Sequence, residues 1–411
     1  MISDRILRAC VLNQFFSEKC CYPRYIIEWD YKANTWKAEK DWRKMLTWYN
    51  AISLLISGIL WPLVSFFVII VQGIFYPKSI TNDVLFYNVI IMTPCVLNFG
   101  INFVLFNERD VLVEYTGLFL QFVGQYQPMP STENMTIRQI LADLKQEATK
   151  ILKTRQGDFL GVTVTLAILL FTYGSYFVGL TGIVAQLDSF ATVFRFIRPV
   201  EDRSQIEHIL LALLSALLIG IVAMEACRTF RYMFVYLIMG AIVNGWLVNT
   251  VYKDSKINLR NAVETYDRLY TIHNKMLVPG GKILFVAIHG GQFLAVFNLA
   301  GAIIGWKFLS PIAHWVPIFM ASLTVFIMMV AIPFAIAPAK QSEAMIQEWK
   351  FRNRIEGGSR FQRKSLASFR PIGFPIAGVG SVTPEFKAHF WSIIVLNTTD
   401  VILMIMQSLP N

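Results

Sequence analysis

The stretch IEHILLALLSALLIGIVAMEACRTFRYMFVYLIMGAIVNGWLVNTV, residues 206–251, decides the fold. It holds two apolar blocks, 206–227 and 232–251, either side of the basic sequence CRTFR. Two crossings would need a turn at that joint. CRTFR has neither the Gly nor the Pro that a hairpin turn uses. As one long helix, the stretch crosses once, and its second half leaves the lipid and is covered by protein.

The basic residues separate the two readings. About 20 apolar residues span a bilayer core. Besides 206–227, such runs lie at 45–71, 84–106, 158–185, 283–305, 312–338 and 386–407. With seven spans and the N-terminus inside, 32 of the 37 Lys and Arg are cytoplasmic. Only Lys78, Arg195, Arg198, Arg203 and Lys307 lie outside. The asymmetry follows the positive-inside rule. A span at 232–251 would move fifteen of the inner ones outside. The expected fold is therefore an all-α polytopic membrane protein, N-terminus cytoplasmic and C-terminus extracellular. That is the inverse of a G-protein-coupled receptor. NERD at 107–110 matches that family's acidic-arginine motif only superficially, and the last span has no NPxxY.

Composition agrees. Of 411 residues, 55% are hydrophobic and 16% charged, against about a quarter charged in soluble domains. The start MISDRILRAC is no cleavable signal peptide. Cys10, Cys20, Cys21, Cys95 and Cys227 form no CxxC pair, so neither a disulfide framework nor a zinc site is implied. The five histidines are dispersed. No HExxH or GxSxG occurs, and Gly280-Gly281-Lys282 lacks the rest of a phosphate loop. Nothing here supports an enzyme or a cofactor. The sequons at Asn134 and Asn397 fall inside and within a span. The basic run from Lys350 to Arg370 reads as juxtamembrane, suited to orientation and anionic lipid, rather than to nucleic acid.

The inner connections are long. Residues 137–152 have helical apolar spacing, with Thr132 or Asn134 as cap. Stretches at 251–282 and after Ala339 are also amphipathic. Three such helices must bury their stripes, which predicts a cytoplasmic helical bundle. The resulting division has a cytoplasmic segment over 1–44 and a six-span bundle over 45–338, with extensions at 107–157 and 228–282. An anchor and linker fill 339–385, and a terminal helix with a short tail fills 386–411.

Two constellations suggest function. Tyr173, Tyr176, Phe177 and Leu180 share one face of span three. Tyr87 and Ile91 lie toward the outer end of span two, and Phe319 and Ser322 pair on span six. Singly, these read as helix packing. Together they line an apolar pocket with a few hydroxyls, suited to a small volatile or lipid-like ligand. In the last span Leu396, Asp400, Leu403 and Gln407 form one stripe. A carboxylate in a span faces protein or water. Asp400 either caps a broken helix, pairs with a buried Arg, or lines a water-filled path shared by several copies. In that third case a carboxylate ring favours cations, and Leu403 closes the path by dewetting.

The layout resembles the insect odorant receptors, within the odorant/gustatory receptor superfamily. The resemblance covers the whole chain. It is sharpest from Gln341 on: Ser342-Glu343, Trp349, RKSLASFRPIGFPIAGVG with Arg370-Pro371, then the terminal helix. His273 also looks family-like. The chain departs from the gustatory ending, since Asp400 follows Thr399 and Ser408 follows Gln407. The resemblance implies a tetrameric ligand-gated cation channel in the plasma membrane of an olfactory neuron dendrite. A ligand-tuning subunit would assemble with the odorant co-receptor, or with itself. It also implies an odorant pocket among spans two, three, four and six, which adds His208 and Ala212 of span four. A gustatory-type receptor channel of the same superfamily and a secondary transporter remain the alternatives; the transporter predicts inverted repeats and broken helices, for which Pro94 and Pro333 are candidate break points.

Overall fold

The structure is a computed structural model that describes residues 4–19, 27–30, 35–38, 43, 54–75, 81–126, 136–154, 157–185, 189–197, 204–355, 357, 360–376 and 380–408. The deciding stretch is one helix, α7, over Gln205–Ser255; α1 to α6 precede it and are given below. Its start is fixed by a capping box. The Ser204 hydroxyl accepts from the Glu207 N–H, and the Glu207 carboxylate accepts from the Ser204 N–H. Both orphan donors are satisfied, so the helix can begin sharply. Its 51 residues extend about 76 Å at 1.5 Å per residue, well beyond a hydrocarbon core of about 30 Å. Ile206, Ile209, Leu210, Leu213, Leu214 and Leu217 of the first half are exposed, whereas most residues from Leu218 on are buried or half-buried.

The CRTFR joint does not turn. The Arg228 guanidinium donates to the Glu225 carboxylate one helical turn earlier, at 2.7 Å, with both side chains buried. Arg231 donates to the Thr172 hydroxyl at 2.8 Å. A guanidinium keeps its charge and offers several donors in a plane, so it can be buried only where acceptors surround it.

Around α7 stand the other long helices. They are α3 (Asn82–Tyr126), α5 (Phe159–Ala185), α8 (Leu259–Ile304), α9 (Pro311–Ile355) and α11 (Pro384–Ser408). With α7 these make six helices among the described residues that are long and apolar enough to cross a membrane. The first expected span, 45–71, is described from residue 54 on. It is helical over 54–75 (α2), with π geometry over Ile56–Leu60 and Phe67–Phe75 and α geometry over Trp61–Phe66. Its apolar part, Ile56–Val71, is shorter than the six. Helices α3 and α9 run without a break through Pro94 and Pro333.

The first turn of α4, Ile137–Thr154, is capped by Thr136. Its hydroxyl accepts from the Gln139 N–H, while Gln139 Oε1 accepts from the Thr136 N–H. The caps expected at Thr132 and Asn134 fall outside the described residues. A short helix, α6 (Ser189–Ile197), leads toward α7.

The N-terminal segment does not stand apart. Helix α1, Asp4–Lys19, packs along α5 and α7. Arg5 pairs with Asp143 and Glu147 of α4 at 3.1 and 3.0 Å, and the Phe16 and Tyr173 rings meet edge to face. A ribbon of β1 (Ile27–Asp30) and β2 (Thr35–Ala38) follows. Its cross-strand pair Trp29–Trp36 is buried, with Trp36 against Tyr232 and Tyr236 of α7.

After α9 and helix α10 (Arg360–Ser368) comes a strap, described over residues 369–376 and 380–383, that leads to α11. The strap backbone is fastened at three successive points. The Tyr266 hydroxyl donates to the Arg370 carbonyl at 2.8 Å. The Ile372 N–H donates to Ser342 Oγ at 2.9 Å. His273 Nε2 meets the Gly373 carbonyl at 2.9 Å. His273 lies before the apolar run at 283–305. Burial lowers its pKa to about 4, so at neutral pH the ring is uncharged. Its Nε2–H then donates to Gly373, and Nδ1 accepts from the Tyr115 hydroxyl at 3.3 Å. Beyond the fasteners, β3 (Pro375–Ile376) and β4 (Gly380–Ser381) pair in a second small ribbon. These elements carry the residues that motivated the family resemblance: Ser342, Trp349, His273 and Arg370. In the fold Ser342 and His273 fasten the strap, the Arg370 carbonyl receives the Tyr266 hydroxyl, and Trp349 packs edge to face on Tyr266.

Candidate functional site

An apolar cavity of about 50 Å³ lies between α3, α5, α7 and α9. It sits among the four helices expected to hold a ligand. Ile91 and Phe319, both named from sequence, line it. The rest of its wall was not foreseen: Cys95, Phe171, Cys227, Phe230 and Met320 chief among them. Small residues make the room. Ala223 and Ala226 of α7 border the space. Gly174 lets the Phe319 ring come so near that a Cβ on the glycine would lie 3.0 Å from it.

The other expected pocket residues lie elsewhere. Tyr87 is buried one turn from Ile91 and shares a hydrophobic cluster with Ile91, Cys95 and Val222, but it does not line the cavity itself. Phe177 touches Phe319 with ring centroids 5.2 Å apart, yet is half exposed. Tyr173 and Leu180, each 61% exposed, and Tyr176 face outward from α5. Ser322 is exposed, and its hydroxyl donates to the Ile318 carbonyl of its own helix. His208 and Ala212 are exposed as well. The aromatic face of α5 is thus its outer face, and the cavity is met by Phe171 and Gly174. The expected hydroxyls are not on its wall, so a guest meets carbon and sulfur.

A polar layer lies in the same part of the bundle. Asn98 donates to Ser57 at 3.1 Å, and Asn102 donates to Asn98 Oδ1 and to Thr229 at 2.8 and 3.0 Å. Thr229 is next to Arg228 of the buried ion pair. Buried amides with this many partners fix helix rotation as well as position. They hold α2, α3 and α7 in one register beside the cavity.

The second constellation is intact. Helix α11 buries Phe390, Ile394 and Thr398 against α8 and its neighbours. Its opposite face carries Leu396 (64% exposed), Asp400, Leu403 (53%) and Gln407, all exposed. The helix is continuous from Pro384 to Ser408, so Asp400 does not cap a break. Among the described residues Asp400 has no ion-pair partner, and Arg228 is engaged by Glu225 instead. Asp400 is therefore a carboxylate turned away from its own bundle. Along this face runs a stripe of alternating apolar and polar groups that no described residue of the same chain covers.

Filling the cavity should be felt directly. Ala226→Leu adds a branched side chain to a wall with about 50 Å³ of free space. Ligands that use the cavity should lose on the order of 10–200-fold in potency, the usual worth of a small change in an apolar pocket. Dose–response curves on surface-matched cells measure this. Unchanged curves for every ligand would place the ligand site elsewhere.

No family model matches the chain, and no curated protein does. Among the solved structures that match it, two do so over almost its whole length. One is the insect olfactory receptor OR5 from Machilis hrabei in complex with eugenol. Its TM-score is 0.58 at 10% identity, and the match covers 97% of this chain and 97% of that one. The other is a second structure of the same receptor, with TM-score 0.56 at 9% identity, covering 97% and 96%. The arrangement of long apolar helices thus belongs to a known architecture: the chain has the insect olfactory receptor fold.

Proposed function

We propose that the chain is a subunit of an odorant-gated, non-selective cation channel in the plasma membrane of an olfactory neuron dendrite. A small, uncharged, volatile molecule occupies the cavity among α3, α5, α7 and α9. The observation that carries the reading is the bare stripe Leu396, Asp400, Leu403 and Gln407 on α11. A polar stripe on a membrane helix wants water. Several copies around an axis supply it, in a homotetramer or with a co-receptor subunit. The Machilis hrabei receptor was solved with eugenol, a small aromatic volatile, which fits the class of guest proposed here. No chemistry is required of the chain, and the reading involves no enzyme activity and no cofactor.

The cavity must widen to hold such a guest, because an engineered cavity that binds benzene is about 150 Å³. Met320 on its wall is the pliable element, since methionine repacks at little cost. The transporter alternative draws no support from Pro94 or Pro333, since both helices continue through them. A gustatory-type channel of the same superfamily is the alternative that shares the pore argument.

The test is expression in an electrically silent cell, alone and with the co-receptor, under a panel of volatile odorants. Evoked cation current supports the reading, and its absence under both conditions at normal surface level sinks it. The orientation has its own check. Tags after Met1 and after Asn411 should be accessible from the cytosol and from outside respectively, following the bias of the basic residues. Both tags on one side would refute seven crossings.

A further inference from the structure

A second cavity of about 60 Å³ lies farther along the same helices. The first is walled by residues 222–230 of α7 and 319–323 of α9. The second is walled by 233–241 of α7, 327–335 of α9 and 284–288 of α8. It is closed by Phe374 and Val382 of the strap. Its wall is made of aliphatic, aromatic and methionine side chains throughout. A water molecule needs two to four polar partners, and this lining gives none, so the space favours an apolar guest.

We propose that this second cavity is a binding site for a small, uncharged, apolar molecule of a few heavy atoms, and that the occupant holds the strap in place. The strap is fixed by hydrogen bonds at Arg370, Ile372 and Gly373. From Phe374 on, its attachment changes character. Phe374 and Val382 are bonded to each other, Val382 N–H to the Phe374 carbonyl at 3.0 Å. Both side chains are buried against the long helices. Helix α11 starts at Pro384, two residues beyond Val382. A guest would supply the contacts that Phe374 and Val382 lack on the cavity side, and would resist opening of the Val382–Phe374 bond. With so little chain between that bond and α11, the guest reaches the terminal helix without slack. Its action on current rests on the channel reading above, whereas its binding and its hold on the strap do not.

The test uses xenon on the purified full-length protein. A structure determined under xenon pressure should show a xenon peak between Phe374, Ala287 and Ala331. Amide exchange in the 374–383 peptide should slow about tenfold, the change in opening equilibrium that filling about 60 Å³ of void is worth. Ala287→Leu, or Ala241→Val if that variant fails to fold, should remove the peak and show the slow exchange without gas. Either no peak in the parent, or a peak with unchanged exchange at 374–383, overturns the proposal. A parent that conducts no current but shows both xenon effects supports this site and sinks only the channel reading.

Discussion

Arg228→Met should strip most of the folded protein from a mild detergent extract. The substitution leaves the Glu225 carboxylate buried, 1% exposed, with the guanidinium 2.7 Å from it gone. One oxygen of that carboxylate, Oε2, has no hydrogen-bond partner among the described residues. Breaking a buried pair from one side costs about 3–5 kcal/mol, a large part of the roughly 5–15 kcal/mol that holds a typical domain. The double variant Glu225→Gln with Arg228→Met removes the stranded charge and should regain much of the loss. Fluorescence size-exclusion profiles and melting curves of the three proteins decide this. A double variant no better than the single one would show that the helix needs the arginine for something other than neutralising Glu225.

The second large effect is on permeation. Asp400→Asn should lower calcium permeability relative to sodium and leave ligand potency nearly unchanged. The carboxylate sits on the exposed face of α11, away from the cavity, and its attraction is stronger for divalent than for monovalent ions. Leu403→Ser, three residues on, should raise ligand-independent current, because a hydroxyl lowers the barrier to wetting. A co-receptor would dilute both effects. Reversal potentials in exchanged sodium and calcium solutions measure the first. Unaltered permeability ratios at normal surface expression would take Asp400 out of the pore.

What the sequence made legible follows from which physical contrasts it carries. The single helix over 206–251 could be read because charge and the lack of a turn residue both point one way, and the structure agrees. The stripe on α11 could be read because polar groups in an apolar run are costly and so informative. The cavity wall was half legible. Of the residues singled out from sequence, Ile91 and Phe319 line the cavity among α3, α5, α7 and α9, whereas those of α5 do not. In lipid the outward residues are as apolar as the inward ones, so hydrophobic spacing does not say which face is buried. Tyr173, Tyr176 and Leu180 look like a pocket face and lie on the outside. The better signal was smallness: Gly174, Ala223 and Ala226 mark where space is left. Helix α1 was missed for a different reason. Asn13, Gln14 and its charges hide an apolar side formed by Ile6, Leu7, Cys10, Val11 and Phe16, and the polar groups are buried with it.

If the chain works as the channel subunit proposed above, the exposed stripe on α11 would also make each copy a reporter of its own assembly. A subunit alone in the bilayer would hold Asp400 against hydrocarbon, at about 2.5–3.5 kcal/mol. Companions that enclose the stripe around water remove that cost. On that reading, the same carboxylate that would select ions in the finished ring would also disfavour an orphan subunit in the membrane.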